Sequence, residues 1–168
     1  IYRRLEVRVA ELLRQANDGL AAGSTAIPTF WEEATDDYFL SIASLRALRL
    51  CYAQVAAAYG VAPDCHLTVD PWTKSQDKYG GMVSMSAICT AAIVGGANTI
   101  FVSTGDTDDE QEKAFLRRVA LNSMNVLHHE AHLNQVADPA AGSYYIEALT
   151  NTIARKIWTE FQQISKHG

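Results

Sequence analysis

What constrains this chain most is the alternation of strand-like and helix-like segments. Short apolar runs begin at Ala26 (AIPTFW), Cys65 (CHLTV) and Thr99 (TIFVST). Starts recurring roughly every 35 to 40 residues match one strand plus one crossover helix of a parallel sheet. The intervening segments have helical period. A stripe at Leu5, Val9, Leu12, Leu13, Ala16 and Leu20 opens the chain, and Gly23 sits at its C-cap position. A second helix, with Thr35, Asp36 and Asp37 as N-cap candidates, carries Ile42, Leu45, Leu48, Tyr52, Val55 and Tyr59, and Gly60 and Pro63 stop it. Helices are predicted again from about Tyr79 to Val94, from the acidic cap TDDE to about His129, and from Tyr144 onward, with a weak strand at residues 135–137.

Strands that are apolar almost throughout are buried on both faces, which makes the fold class α/β. About four βα units preceded by a helix are half of an eight-unit barrel, or most of an open doubly wound sheet. A dinucleotide-binding open sheet needs a glycine-rich turn after its first strand, and EEATDD follows Trp31 here. Part of a TIM-type (βα)8 barrel is therefore expected, as one partial-barrel domain over residues 1–168, with function in the loops after the strands. A partial barrel is expected to expose sheet edges and apolar helix faces, and so to self-associate or be poorly stable.

Composition removes several classes of function. At 48% hydrophobic and 20% charged, the chain has enough apolar material for a core. Fourteen Lys and Arg against nineteen Asp and Glu give a net charge of −5, with no basic stripe interleaved with aromatics, so nucleic acid is excluded as a partner. No apolar run approaches the roughly 20 residues that cross a bilayer, and no signal-like segment opens the chain. A cytoplasmic location with no membrane partner is expected. Cys51, Cys65 and Cys89 form no CxxC pair and lie within apolar patterns, so they read as buried reduced thiols.

Three stretches hold candidate chemistry. NVLHHEAHL, at 125–133, places three histidines and a glutamate close together. A zinc-protease HExxH needs the Glu directly after the first of two histidines four apart; here His128 and His132 have that spacing, but Glu130 is misplaced. The motif fails, and no metal ligand is assigned. The histidines read as a polar helix end, where imidazolium meets the negative end of the dipole. DPWTKSQDKYGG, at 70–81, follows a strand and enters a helix through two glycines. It reads either as an anion cradle assisted by Lys74 or Lys78, or as a plain barrel loop. GGANTIFVSTGDTDDE, at 95–110, brings Ser103, Thr104 and Asp106 to a strand's C-terminal end, where Asp106 to Asp109 equally suit a helix cap. None of these assembles a nucleophile, a base and an orienting group, so no catalytic residue is assigned.

Four stretches resemble the methylmalonyl-CoA mutase family: YFLSIASLRALRL at 38–50, SQDKYGGMVSMSAICTAAIVGG at 75–96, RRVALNSMNVLHHEAHLNQVADPAAGSYYIEALT at 117–150, and the closing amphipathic helix. The resemblance runs from about Phe30 to the C-terminus, and DPAAGSYYIE is its most specific part. It implies the second half of the family's (βα)8 barrel. It further implies a part in adenosylcobalamin-dependent rearrangement of acyl-CoA carbon skeletons, with the CoA chain threading the barrel. In the family, residues 127–132 typically read like LQEESH, so His128 and His129 stand where Gln and Glu are common.

The departures matter as much as the match. Where catalytic members carry a segment like QDPYNNIVRT, this chain has Gln76, Asp77, Lys78, Tyr79, Gly80, Gly81, Met82, Val83, Ser84 and Met85. The Asn pair is gone, and Ser84 replaces an Arg whose charge and fork it cannot supply. Where the family reads like GGTQSLHTN, Asn98 replaces the Gln and Phe101 the His. Such losses imply the small (beta) subunit of heterodimeric mutases, a non-catalytic barrel that supports the catalytic large subunit. WTKS at 72–75 also resembles small subunits. A degenerate acyl-CoA pocket would then involve Thr68, Gln76, Tyr79, Asn98 and Ser103. No cobalamin-binding DxHxxG occurs, so this chain is expected to lack the cobalamin domain, and adenosylcobalamin is expected in the assembly rather than on this chain. A catalytic mutase of altered specificity and a stand-alone binding module remain as alternatives.

Overall fold

A computed structural model describes residues 2–33, 37–71, 78–103 and 109–167. The elements run α1 (Tyr2–Ala21), β1 (Thr29–Glu33), α2 (Tyr38–Ala58), β2 (His66–Asp70), α3 (Lys78–Val94), β3 (Thr99–Ile100), α4 (Glu110–Asn125), a π-helical turn (Val126–Glu130) and α5 (Tyr144–His167). The strands form one parallel sheet in the order β1-β2-β3. The α/β alternation is therefore as expected. The number of units is not: three strands pair among the described residues, where about four were anticipated.

Residues 135–137 form a turn rather than a strand. The Gln135 amide donates to the His132 carbonyl at 3.1 Å, and Val136 is 59% exposed, with no strand edge alongside. β1 begins three residues later than anticipated because Pro28 has no amide to give to the ladder; its carbonyl accepts from His66 N at 2.9 Å, and regular pairing starts at Thr29. β3 is shorter than TIFVST suggested. Its ladder stops at Ile100, although Phe101 N still reaches Val69 O at 2.9 Å.

Caps set the helix ends where the sequence placed them. Asp37 accepts from Leu40 N at 3.0 Å, and Asp109 from Gln111 N at 2.9 Å. Gly23, at φ 83°, closes α1: its own amide reaches Leu20 O, and the Ser24 amide reaches Gly19 O. Gly80 and Gly81 lie within the first turn of α3 rather than in a loop before it.

The sheet has two unlike faces. Alternation along β1 and β2 sends Phe30, Leu67 and Val69 to one side, each at most 2% exposed, against α1, α2 and α5. Phe30 meets Tyr52 of α2 edge-to-face at 5.5 Å. α5 lies along α2 in the same direction, with Arg46 bonded to Glu147 and Cys51 to the Ala154 carbonyl. No helix among the described residues covers the other face, where Trp31 is 55% and Phe101 52% exposed. No described helix is long and apolar enough to cross a membrane.

Candidate functional site

In a parallel sheet with helical crossovers, side chains at the carboxyl ends of the strands share one mouth. Here that end holds Glu32, Glu33, Asp70 and Ser103. Glu32 points to the helix-covered face and is 5% exposed. The Arg8 guanidinium on α1 meets its carboxylate, and also Glu33 Oε2 at 3.1 Å and the Glu33 carbonyl at 3.2 Å. Even so, burial outweighs the Arg8 charge and pushes the Glu32 carboxyl up to about 7. Its Oε1 has no hydrogen-bond partner among the described residues and borders a small void shared with Ser41 and Ser44.

Of the five residues assigned to a degenerate pocket, the four that are described do not share one place. Thr68 sits at the middle of the central strand, in register with Trp31 on one side and Thr99 on the other. Only 4% of it is exposed, because Trp31 and Phe101 meet edge-to-face at 5.6 Å on the same side of the sheet. Ser103 is at the mouth, its amide donating to Asp70 Oδ1 at 3.3 Å. Tyr79 lies on the first turn of α3 with its ring 73% exposed. Asn98 is at the opposite, amino end of the sheet. Its carbonyl oxygen accepts from Arg49 at 2.6 Å and from Leu67 N at 2.9 Å, so it ties the start of β3 to β2 and α2. Gln76, with Lys74 of the anion-cradle reading and Thr104 and Asp106 of the later loop, lies outside the described residues.

The thiols are ill-suited to nucleophilic work. Burial pushes Cys51 up to about 11, Cys89 up to about 12, and Cys65 upward as well. All three are free and buried. The histidines lie on the π-helical turn and just beyond it, at the amino end of the sheet. His128 approaches His129 at 3.3 Å and Asn134 at 3.0 Å. Among the described residues no three His, Cys, Asp or Glu side chains are grouped to hold a metal ion.

Sequence reading missed two participants, Arg8 and Trp31. Period-two alternation in TFWEE does carry a signal, since it puts Glu32 on the same side as Phe30 and so requires a buried cation nearby. Nothing in the sequence says that α1 supplies it.

Comparison with known proteins places these features in a family context. Residues 16–168 match the family model described as Methylmalonyl-CoA mutase. Named relatives include the methylmalonyl-CoA mutase small subunit of Streptomyces virginiae, 38% identical over 79% of this chain and 22% of its own length. That of Porphyromonas gingivalis is 33% identical over 79% of this chain and 23% of its own. The probable methylmalonyl-CoA mutase small subunit of Mycobacterium tuberculosis is 33% identical over 95% of this chain and 26% of its own. The chain thus spans about a quarter of the length of these relatives.

Proposed function

Because the chain belongs to the methylmalonyl-CoA mutase family, we propose that it is an arc of a (βα)8 barrel in a small-subunit-type chain, and that this barrel does no chemistry itself. Its role is to support a catalytic large subunit in the adenosylcobalamin-dependent interconversion of methylmalonyl-CoA and succinyl-CoA. Helices on one face of a parallel sheet and none on the other are what an arc of such a barrel presents, with the bare face turned toward the lumen.

The observation that carries the non-catalytic reading is the Trp31–Phe101 pair. On the resemblance, Phe101 occupies the position of a family histidine, and it packs at 5.6 Å against Trp31, so that Thr68 beneath is withdrawn from solvent. A phenyl ring offers no hydrogen bond to a thioester carbonyl or to a developing negative charge, and one such donor is worth roughly a hundredfold or more in rate. The aromatic pair also occupies lumen space that a threaded CoA chain would need.

Adenosylcobalamin supplies radical chemistry when bound, and in this reading another domain of the assembly holds it. The described residues offer it no ligand at the mouth: His128 is engaged by Asn134 and His129 at the amino end of the sheet. Glu32, with its carboxyl near 7, is the one group among the described residues at the mouth that resembles a tuned acid or base. It faces the helices rather than the lumen and is held by Arg8, which argues against the altered-specificity reading.

The deciding experiment is an assay of the full-length chain, alone and with its large subunit, with adenosylcobalamin and a panel of acyl-CoA esters. Activity only in the pair is expected. Turnover by this chain alone would end the proposal.

A further inference from the structure

At the amino end of the sheet, opposite the mouth, lies a cavity of about 640 Å³, within the ~300–1,000 Å³ typical of small-molecule sites. Its floor is apolar, formed by Ile93, Ile100, Met124 and Leu127, and its rim carries Arg46 and Arg49 of α2. The two arginines differ in a way that defines a ligand. Arg46 is neutralised by Asp138 and by Glu147 at 2.7 Å. Arg49 donates only to uncharged acceptors: the Gly96 carbonyl at 2.6 Å, Asn98 Oδ1 at 2.6 Å, the Cys65 carbonyl at 3.2 Å and the Cys65 sulfur. No carboxylate among the described residues pairs with it. A cation left without a counter-charge beside an apolar floor favours an anion with a hydrocarbon body.

The wall facing the arginines is unusual backbone. It consists of the π-helical turn, which places Leu127 and His128 on the cavity, and the segment just past His132, which has φ 52°. Both features recur where backbone has been shaped around a ligand.

We infer that this cavity binds a small amphipathic carboxylate, with its head group beside Arg49 and its alkyl chain on Met124 and Leu127. A bare inorganic anion would waste the floor, and an alkyl cation would meet the wrong charge. The site is independent of the mutase reading, because it is read by binding and not by turnover.

The test is calorimetric titration of the full-length chain with octanoate, and with acetate and octylammonium as controls. Octanoate is expected to bind saturably and the controls not to bind. Arg49→Gln is expected to weaken octanoate about tenfold, the loss of one charge-assisted hydrogen bond. Val136→Trp, at an exposed turn position on the rim, fills the recess without touching charge and is expected to do the same, and it decides the matter should Arg49→Gln fail to fold. No octanoate binding, equal binding of octylammonium, or unchanged affinity in Val136→Trp would overturn the inference.

Discussion

Among the described residues, the two ends of the three-stranded sheet use their polar groups differently. At the carboxyl end, Arg8 pairs with both Glu32 and Glu33, Asp70 takes the Ser103 amide, and aromatic rings lie over Thr68. At the amino end, Arg49 spans β2, β3 and α2 yet keeps its charge uncompensated beside a large recess. The difference teaches that equivalent ends of one parallel α/β sheet need not be furnished alike. The scaffold supplies a position, and the side chains decide whether it is open for chemistry or closed by packing.

The largest effect that would sharpen this contrast is at Arg8. Removing Arg8, about a third exposed, leaves the buried Glu32 carboxylate uncompensated, and Arg8→Ala is expected to lower stability by about 2 kcal/mol at pH 8, measured by urea denaturation. Glu32→Gln removes the charge that needs compensation, and is expected to cost less than about 1 kcal/mol or to stabilise. Equal losses in the two variants would show that the carboxyl end is not organised around this pair.

The same group sets a pH dependence with a definite sign. The Glu32 carboxyl is raised from 4.5 to about 7, so between those values the folded state holds a proton that the unfolded state has released. Its contribution is complete below pH about 4.5 and is lost as pH rises through about 7, amounting to a few kcal/mol at most. A melting series from pH 5 to 8 is expected to fall more steeply for the natural chain than for Glu32→Gln. Parallel curves would remove Glu32 as the cause.

At the amino end the most sensitive point is Gly95. A Cβ there would lie 2.9 Å from Leu45 Cδ1, 3.1 Å from the Ala91 carbonyl and 3.2 Å from Ile42 Cα. Two of these neighbours are backbone and cannot move aside, so Gly95→Ala is expected to prise α3 from α2 at a cost of about 2 kcal/mol. Because Gly96 and Asn98 hold Arg49, hydrogen exchange should quicken at the amides of 96–98 while those of β1 stay protected.

How much of this was legible follows from the reach of each signal. Caps are local, and Asp37, Asp109 and Gly23 ended helices where their own chemistry required. Period-two alternation is nearly as local, and separates Phe30 and Glu32 from Trp31. The length of β3 was not legible, because TIFVST is apolar whether or not a ladder partner exists beside each residue, and pairing is decided by β2. Val136 and Ala137 look like strand for the same reason and have no edge to join. The amino-end cavity was least visible of all, since its walls come from α2, the α3–β3 turn, α4 and the segment before α5, and no spacing in the sequence relates them. Asn98, read as a pocket residue through the family resemblance, shows the limit plainly. The motif gave its identity, and only the fold shows that it serves β3, β2 and Arg49 at the end away from the mouth.

The smallest effect concerns the closure of the mouth itself. An edge-to-face pair contributes about 0.5–1.5 kcal/mol beyond the area it buries, so a double-mutant cycle on Trp31→Ala and Phe101→Ala is expected to return a coupling of about 1 kcal/mol. Each single variant should also expose Thr68, now 4% accessible, and speed exchange of the amides beside it in β2. Coupling indistinguishable from zero would mean that the rings merely adjoin one another, each resting on the sheet independently. Thr68 would then be closed off by the strands on either side, and its burial would no longer depend on the aromatic pair.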